Sequence, residues 1–169
     1  FLSTTFGGLP RNAAPWTLPV AVAGAAGKTI VVKKPVPQSS IMYAHEGFKR
    51  DDPDFFAAFL VNHILGGGSF TSRLYQNIRE KRGLVYSISS YLHPMDWAGL
   101  VAGSGGTANA RVGETVTLLR EEWNRIAKDG ITKTELSEAK TFQTGSFPLR
   151  FTSSGRIAGM LVWMQLWNR

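Results

Sequence analysis

Gly83 stands between two incompatible periodicities, and that junction constrains the fold more than any other feature of this sequence. From about Ser72 to Arg82 the apolar residues Leu74 and Ile78 recur at helical spacing, whereas Val85 to Leu92 is rich in β-branched and aromatic residues. Helix must therefore hand over to strand within a residue or two. A glycine in the left-handed conformation ends a helix that abruptly, because it has no Cβ to clash there. The stretch from Trp97 to Ala102 reads as a further strand, and Pro94, Met95 and Asp96 separate the two as a hairpin or an adjacent antiparallel pair.

The remaining elements follow from similar signals. Lys28 to Lys33 reads as a strand, Pro35 to Gln38 breaks it, and Ser39 to His45 reads as a second, so a β-pair is expected to open the domain. Asp51, Asp52 and Pro53 open a helix carrying Phe55, Phe56, Phe59, Leu60 and Ile64, and Gly66 to Gly68 end it. Between Asn109 and Asp129 the set Val112, Val116, Leu119, Trp123 and Ile126 marks an amphipathic helix stopped by Gly130. Thr132 and Glu135 have the spacing of a capping box for the next helix, which Gly145 and Pro148 weaken or end. A last helix opens at Ser153 or Ser154 and carries Ile157, Leu161 and Met164.

Strands in hairpins, mixed with helices, favour an α+β domain: an antiparallel or mixed sheet with helices packed on one side. Residues 1–27 are rich in Pro, Gly and Ala and read as an arm or linker, leaving 28–169 as a single domain. The apolar run Met160 to Trp167 calls for a cover, so the chain is expected to be truncated at the C-terminus of that domain.

Composition removes several function classes. The absence of cysteine excludes a disulfide framework and a thiolate metal site, while leaving the compartment open between bacterial periplasm and cytoplasm. No run reaches the ~18 apolar residues of a membrane span. The net charge of +7 would suit nucleic acid if the basic residues formed a stripe. Arg111, Arg120, Arg125 and Lys128 instead share a helix with Glu114, Glu121 and Glu122, so no nucleic-acid partner is expected.

Arg79 in the last helical turn and Tyr86 at the start of the next strand lie seven residues apart, and the turn at Gly83 can bring them together. A guanidinium and a phenol converging on one surface could recognise a carbonyl, since both donate hydrogen bonds to oxygen. The same residues could instead serve structure, with Arg79 answering the helix dipole and Tyr86 packing beside Ile88 on one strand face. Gly103 to Thr107 could bind an anion through backbone N–H groups or simply turn the chain into a helix cap. Ser69, Thr71 and Ser72 show no His–Asp partner pattern.

Taken whole, Gly66 to Tyr91 (GGGSFTSRLYQNIREKRGLVYSISSY) closely resembles the signature of the second, non-catalytic domain of M16 peptidases, the pitrilysin and mitochondrial processing peptidase family. Weaker similarities flank it: the Leu-Pro-rich lead-in, ValProGln before the second strand, AspAspProAspPhe before the first helix and GlyIleThrLysThrGluLeu before the later ones. The resemblance implies an M16/LuxS-like metallohydrolase domain in which Arg79 and Tyr86 contact bound peptide and support the transition state. It also implies that Gly67, Gly68, Ser69 and Phe70 lie near the peptide path.

The catalytic domain of that family carries His-x-x-Glu-His, in which two histidines a helical turn apart bind zinc and the Glu activates water. Here His45, His63 and His93 are at least eighteen residues apart, so no such helix exists in this chain. No metal ligands and no cofactor are therefore assigned to it, and by itself it is expected to be catalytically inactive. The resemblance instead implies zinc in an HxxEH-bearing partner domain or subunit, with peptide substrate held between the two and a homo- or hetero-oligomer both open. The alternatives are a structural or scaffolding M16-like subunit and a basic nucleic-acid-binding module.

Overall fold

The computed structural model describes residues 1–166 except 11, 13–16, 18, 20, 22, 23, 25 and 26. Much of the expected arm, 1–27, lies outside the described residues; within it Leu2–Phe6 forms a short helix, α1. Three strands follow in the chain, β1 (Gln38–Glu46), β2 (Val85–Pro94) and β3 (Gly99–Ala108), and they form an antiparallel sheet in the order β1-β3-β2. Among the described residues four further α-helices surround the hairpin in sequence: α2 (Phe55–Asn62), α3 (Val112–Asp129), α4 (Lys133–Ser146) and α5 (Ser154–Leu166).

The fold is α+β, with one sheet face covered. Leu65, Leu74 and Ile78 from the helical segments, Leu84, Val85 and Ile88 from the start of β2, and Leu119 and Ile126 from α3 form one buried cluster, with Tyr43 and Trp123 packed against it. Because side chains alternate along a strand, the opposite face carries Met42, Ser104 and Ser89 in one rung and Ala44, Ala102 and Tyr91 in the next. Met42 and Tyr91 there are exposed.

Two expectations fail for identifiable reasons. Lys28 to Lys33 is not a strand: Ile30, Val31 and Val32 are exposed, and the first strand begins at Gln38. β-branched composition expresses a preference, but a strand exists only where a neighbour supplies the ladder, and β1 pairs with β3 rather than with this run. Gly103 to Thr107 is neither an anion loop nor a turn; it lies inside the central strand, paired with β1 on one side and β2 on the other. Glycine is needed at Gly103 because Tyr43 crosses over it from β1, its hydroxyl donating to the Ser89 carbonyl on β2 at 2.8 Å. A Cβ at Gly103 would lie 2.3 Å from the Tyr43 hydroxyl and from that carbonyl oxygen. Burial pushes the Tyr43 phenol pKa up, and Tyr91 adds to the shift.

The capping box forms as its spacing predicts, with the Thr132 hydroxyl accepting from the Glu135 amide at 3.1 Å and the Glu135 carboxylate accepting from the Thr132 amide at 2.7 Å. The helix opened by α2 likewise ends at the expected glycines, continuing past Asn62 as a π-helical turn, His63–Gly67, capped at Gly68. A second π-helical turn, Tyr75–Glu80, leads towards Gly83.

Candidate functional site

Arg79 and Tyr86 converge. The helical segment before β2 ends in a paired-bond cap, with the Gly83 amide donating to Arg79 O at 2.8 Å and the Leu84 amide donating to Ile78 O at 3.1 Å. Gly83 adopts φ +59, which reverses the chain at once. The Arg79 guanidinium carbon consequently lies 5.8 Å from the centre of the Tyr86 ring.

A bulge between Val85 and Ile88 decides where Tyr86 points. Regular alternation would put Val85 and Ile88 on opposite faces, yet both are buried, and Tyr86 and Ser87 between them are exposed. Tyr86 is 84% exposed on an edge strand of the sheet. It therefore does not share the face of Ile88, which removes the packing alternative considered from sequence.

Arg79 also lies against Tyr75, with the guanidinium carbon 4.7 Å from that ring centre, and its Nη1 donates to Glu80 Oε1 at 3.1 Å. Tyr75 in turn meets Phe70 edge-on, ring centres 4.9 Å apart at 73°. Of the residues expected near the peptide path, Phe70 is thus linked to the Arg79–Tyr86 pair through Tyr75, and it is exposed. Ser69 precedes it in a left-handed conformation, φ 51, which is uncommon for a residue with a side chain.

Gly67 and Gly68 occupy different surroundings. A Cβ at Gly67 would lie 2.9 Å from Asn62 Nδ2, and one at Gly68 would lie 2.8 Å from His63 O, so both are held close to the helix they terminate. Tyr75 was not singled out by spacing alone. Its position four residues before Arg79 on a helical segment was the available signal, since such pairs share a face.

The histidines do not assemble. His45 on β1 accepts the Trp123 indole N–H at its Nε2, 3.0 Å away, while His63 meets Gln143 at 3.1 Å and stacks on Phe142. Among the described residues no group of three His, Cys, Asp or Glu side chains could hold a metal ion. The residues present do not fit zinc. A polar groove elsewhere is lined by Arg73, Asn77, Arg125, Asp129 and Glu135, and in it Arg73 donates to both carboxylate oxygens of Glu135, at 2.6 and 2.8 Å, and to Gly130 O at 3.1 Å. Among the described residues no helix is long and apolar enough to cross a membrane.

Chemically, Arg79 and Tyr86 offer hydrogen-bond donors to an oxygen and no nucleophile. The fold is thus an α+β domain with an open sheet face and the Arg79–Tyr86 pair at its edge strand. The chain belongs to the peptidase M16 family, matching its inactive domain over residues 1–142. It is 32% identical over 133 residues to an uncharacterized zinc protease of Streptomyces coelicolor, covering 79% of this chain and 29% of that protein. A non-peptidase homolog from Helicobacter pylori is 31% identical over 115 residues, 67% of this chain and 26% of that protein. Among solved structures, the peptidase M16 inactive domain from Pseudomonas fluorescens superposes with a TM-score of 0.72 at 38% identity, covering 80% of this chain and 32% of that one. The chain thus spans less than a third of the length of each of these three proteins.

Proposed function

We propose that this chain is the substrate-holding half of a zinc metallopeptidase, acting opposite an HxxEH-bearing domain located in the same polypeptide or on a neighbouring subunit. The partner supplies the metal and its activated water. This half supplies Arg79 and Tyr86, which hold a peptide carbonyl and support the negative charge that develops on its oxygen. The reading is carried by the convergence of these two side chains, 5.8 Å apart, at the edge strand where a bulge exposes Tyr86.

The test is turnover of a peptide by the assembled protein, comparing the parent with Tyr86→Phe. Loss of the hydroxyl is expected to lower kcat by about ten- to a thousand-fold, the scale of losing one oxyanion donor. Unchanged kcat removes Tyr86 from the site. A scaffolding role is the second reading, favoured by the H. pylori relative named as a non-peptidase homolog. On that reading the assembly binds no labelled peptide, and Arg79→Ala changes nothing but local stability.

A further inference from the structure

We infer that Tyr75 is the positioning residue that presents Arg79 to bound peptide, an inference that rests on the proposed contact between Arg79 and substrate. Arg79 has a flexible side chain, and among the described residues it donates only from Nη1, to Glu80, a carboxylate that is itself half exposed. An exposed ion pair of that kind holds a side chain weakly. The stronger restraint is the Tyr75 ring, which is buried, approaches the guanidinium to 4.7 Å, and is wedged edge-on by Phe70.

Stacking differs from an ion pair in what it leaves free. A ring holds a guanidinium by its face, so the in-plane N–H groups on the edge stay available. Arg79 Nε and Nη2 have no acceptor among the described residues, and they form the fork that suits a carbonyl or carboxylate oxygen. The Tyr75 hydroxyl is buried with no hydrogen-bond partner in the described structure. The ring face, and not the hydroxyl, therefore does the positioning. Tyr75 thus touches both Arg79 and the exposed Phe70.

The experiment uses the full protein assembled with its zinc-bearing half, and reads binding and cleavage of an internally quenched peptide together with thermal stability. Tyr75→Phe is expected to keep kcat/KM within about two-fold, and Tyr75→Leu to lower it by about five- to thirty-fold, the range of a partly desolvated cation–π contact. In an Arg79→Ala background Tyr75→Leu should then add nothing. An equal loss in both backgrounds assigns Tyr75 to packing and overturns the inference. If Arg79→Ala alone leaves binding and kcat/KM unchanged, the substrate role of Arg79 fails, and positioning of Arg79 fails with it. Should Tyr75→Leu not fold, progressively fluorinated phenylalanines at position 75 replace it. A stepwise fall in kcat/KM with fluorination at constant melting temperature supports the cation–π role, and a flat series overturns it.

Discussion

Asn62 and Ser90 bind each other twice across the interface between α2 and β2: the Ser90 hydroxyl donates to Asn62 Oδ1 at 2.8 Å, and Asn62 Nδ2 donates to the Ser90 carbonyl at 3.3 Å. Both side chains are buried, so each bond replaces water that cannot reach the groups. Gly66 packs directly on this pair, and a Cβ there would lie 2.5 Å from Ser90 Oγ and 2.7 Å from the Ser90 amide nitrogen. Ser90→Ala is expected to cost about 1–3 kcal/mol, since it strands one face of the Asn62 amide. Gly66→Ala should cost more, and adding Ser90→Ala should recover only part of that loss because the amide nitrogen stays. Urea midpoints of the three variants decide it. Full recovery in the double variant would mean that the backbone approach is unimportant.

Glu135 ionises unusually easily. The Arg73 guanidinium holds its carboxyl down to about 2, helped by the Thr132 amide and hydroxyl, against an opposing push from burial. A folded-state value below the ordinary 4.5 means the stabilisation is present above 4.5 and disappears as pH falls towards 2. Arg73→Met should therefore destabilise by about 2 kcal/mol at pH 7, with the deficit shrinking between pH 4.5 and 2. Stability curves measured at pH 7, 4 and 2.5 should converge on the acid side. Parallel curves would place the linkage elsewhere.

The pH response of His63 falls in a different window. Partial burial lowers its pKa below the ordinary 6.5, so the neutral ring is the form that fits between Phe142 and Gln143. A lowered value implies stability that is complete above 6.5 and is lost as pH drops through the folded value. Melting temperature should decline from pH 7.5 to pH 5 in the parent and decline less in His63→Gln. Identical slopes would assign the decline to other groups.

Gly83 and Gly130 both have positive φ, +59 and +72, and open space where a Cβ would go. Alanine at either is expected to cost about 1–2 kcal/mol through backbone strain alone. Only Gly83 lies between Arg79 and Tyr86. Gly83→Ala should therefore also weaken peptide binding by the assembled protein, whereas Gly130→Ala should lower the melting temperature and leave binding alone. Equal effects on binding would deny Gly83 its part in setting the pair.

Local signals in the sequence carried much of this fold because they report local physics. Helical spacing and the residues at Thr132, Glu135, Gly83 and Gly130 specify where helices begin and end, since a cap or a left-handed turn involves only neighbours in the chain. The same locality made Arg79 and Tyr86 visible as a pair across one tight turn. Whether Tyr86 faces the core or solvent was not visible, because the bulge between Val85 and Ile88 arises from pairing with β3. Strand identity was likewise settled by partners: Ile30, Val31 and Val32 have the composition of a strand without its ladder, while the glycines of β3 have the ladder without the composition. Only tertiary structure carries Tyr43 across Gly103 to the Ser89 carbonyl and seats Ser90 beneath Gly66. Burial and close approach depend on residues distant in sequence, so no local pattern encodes them.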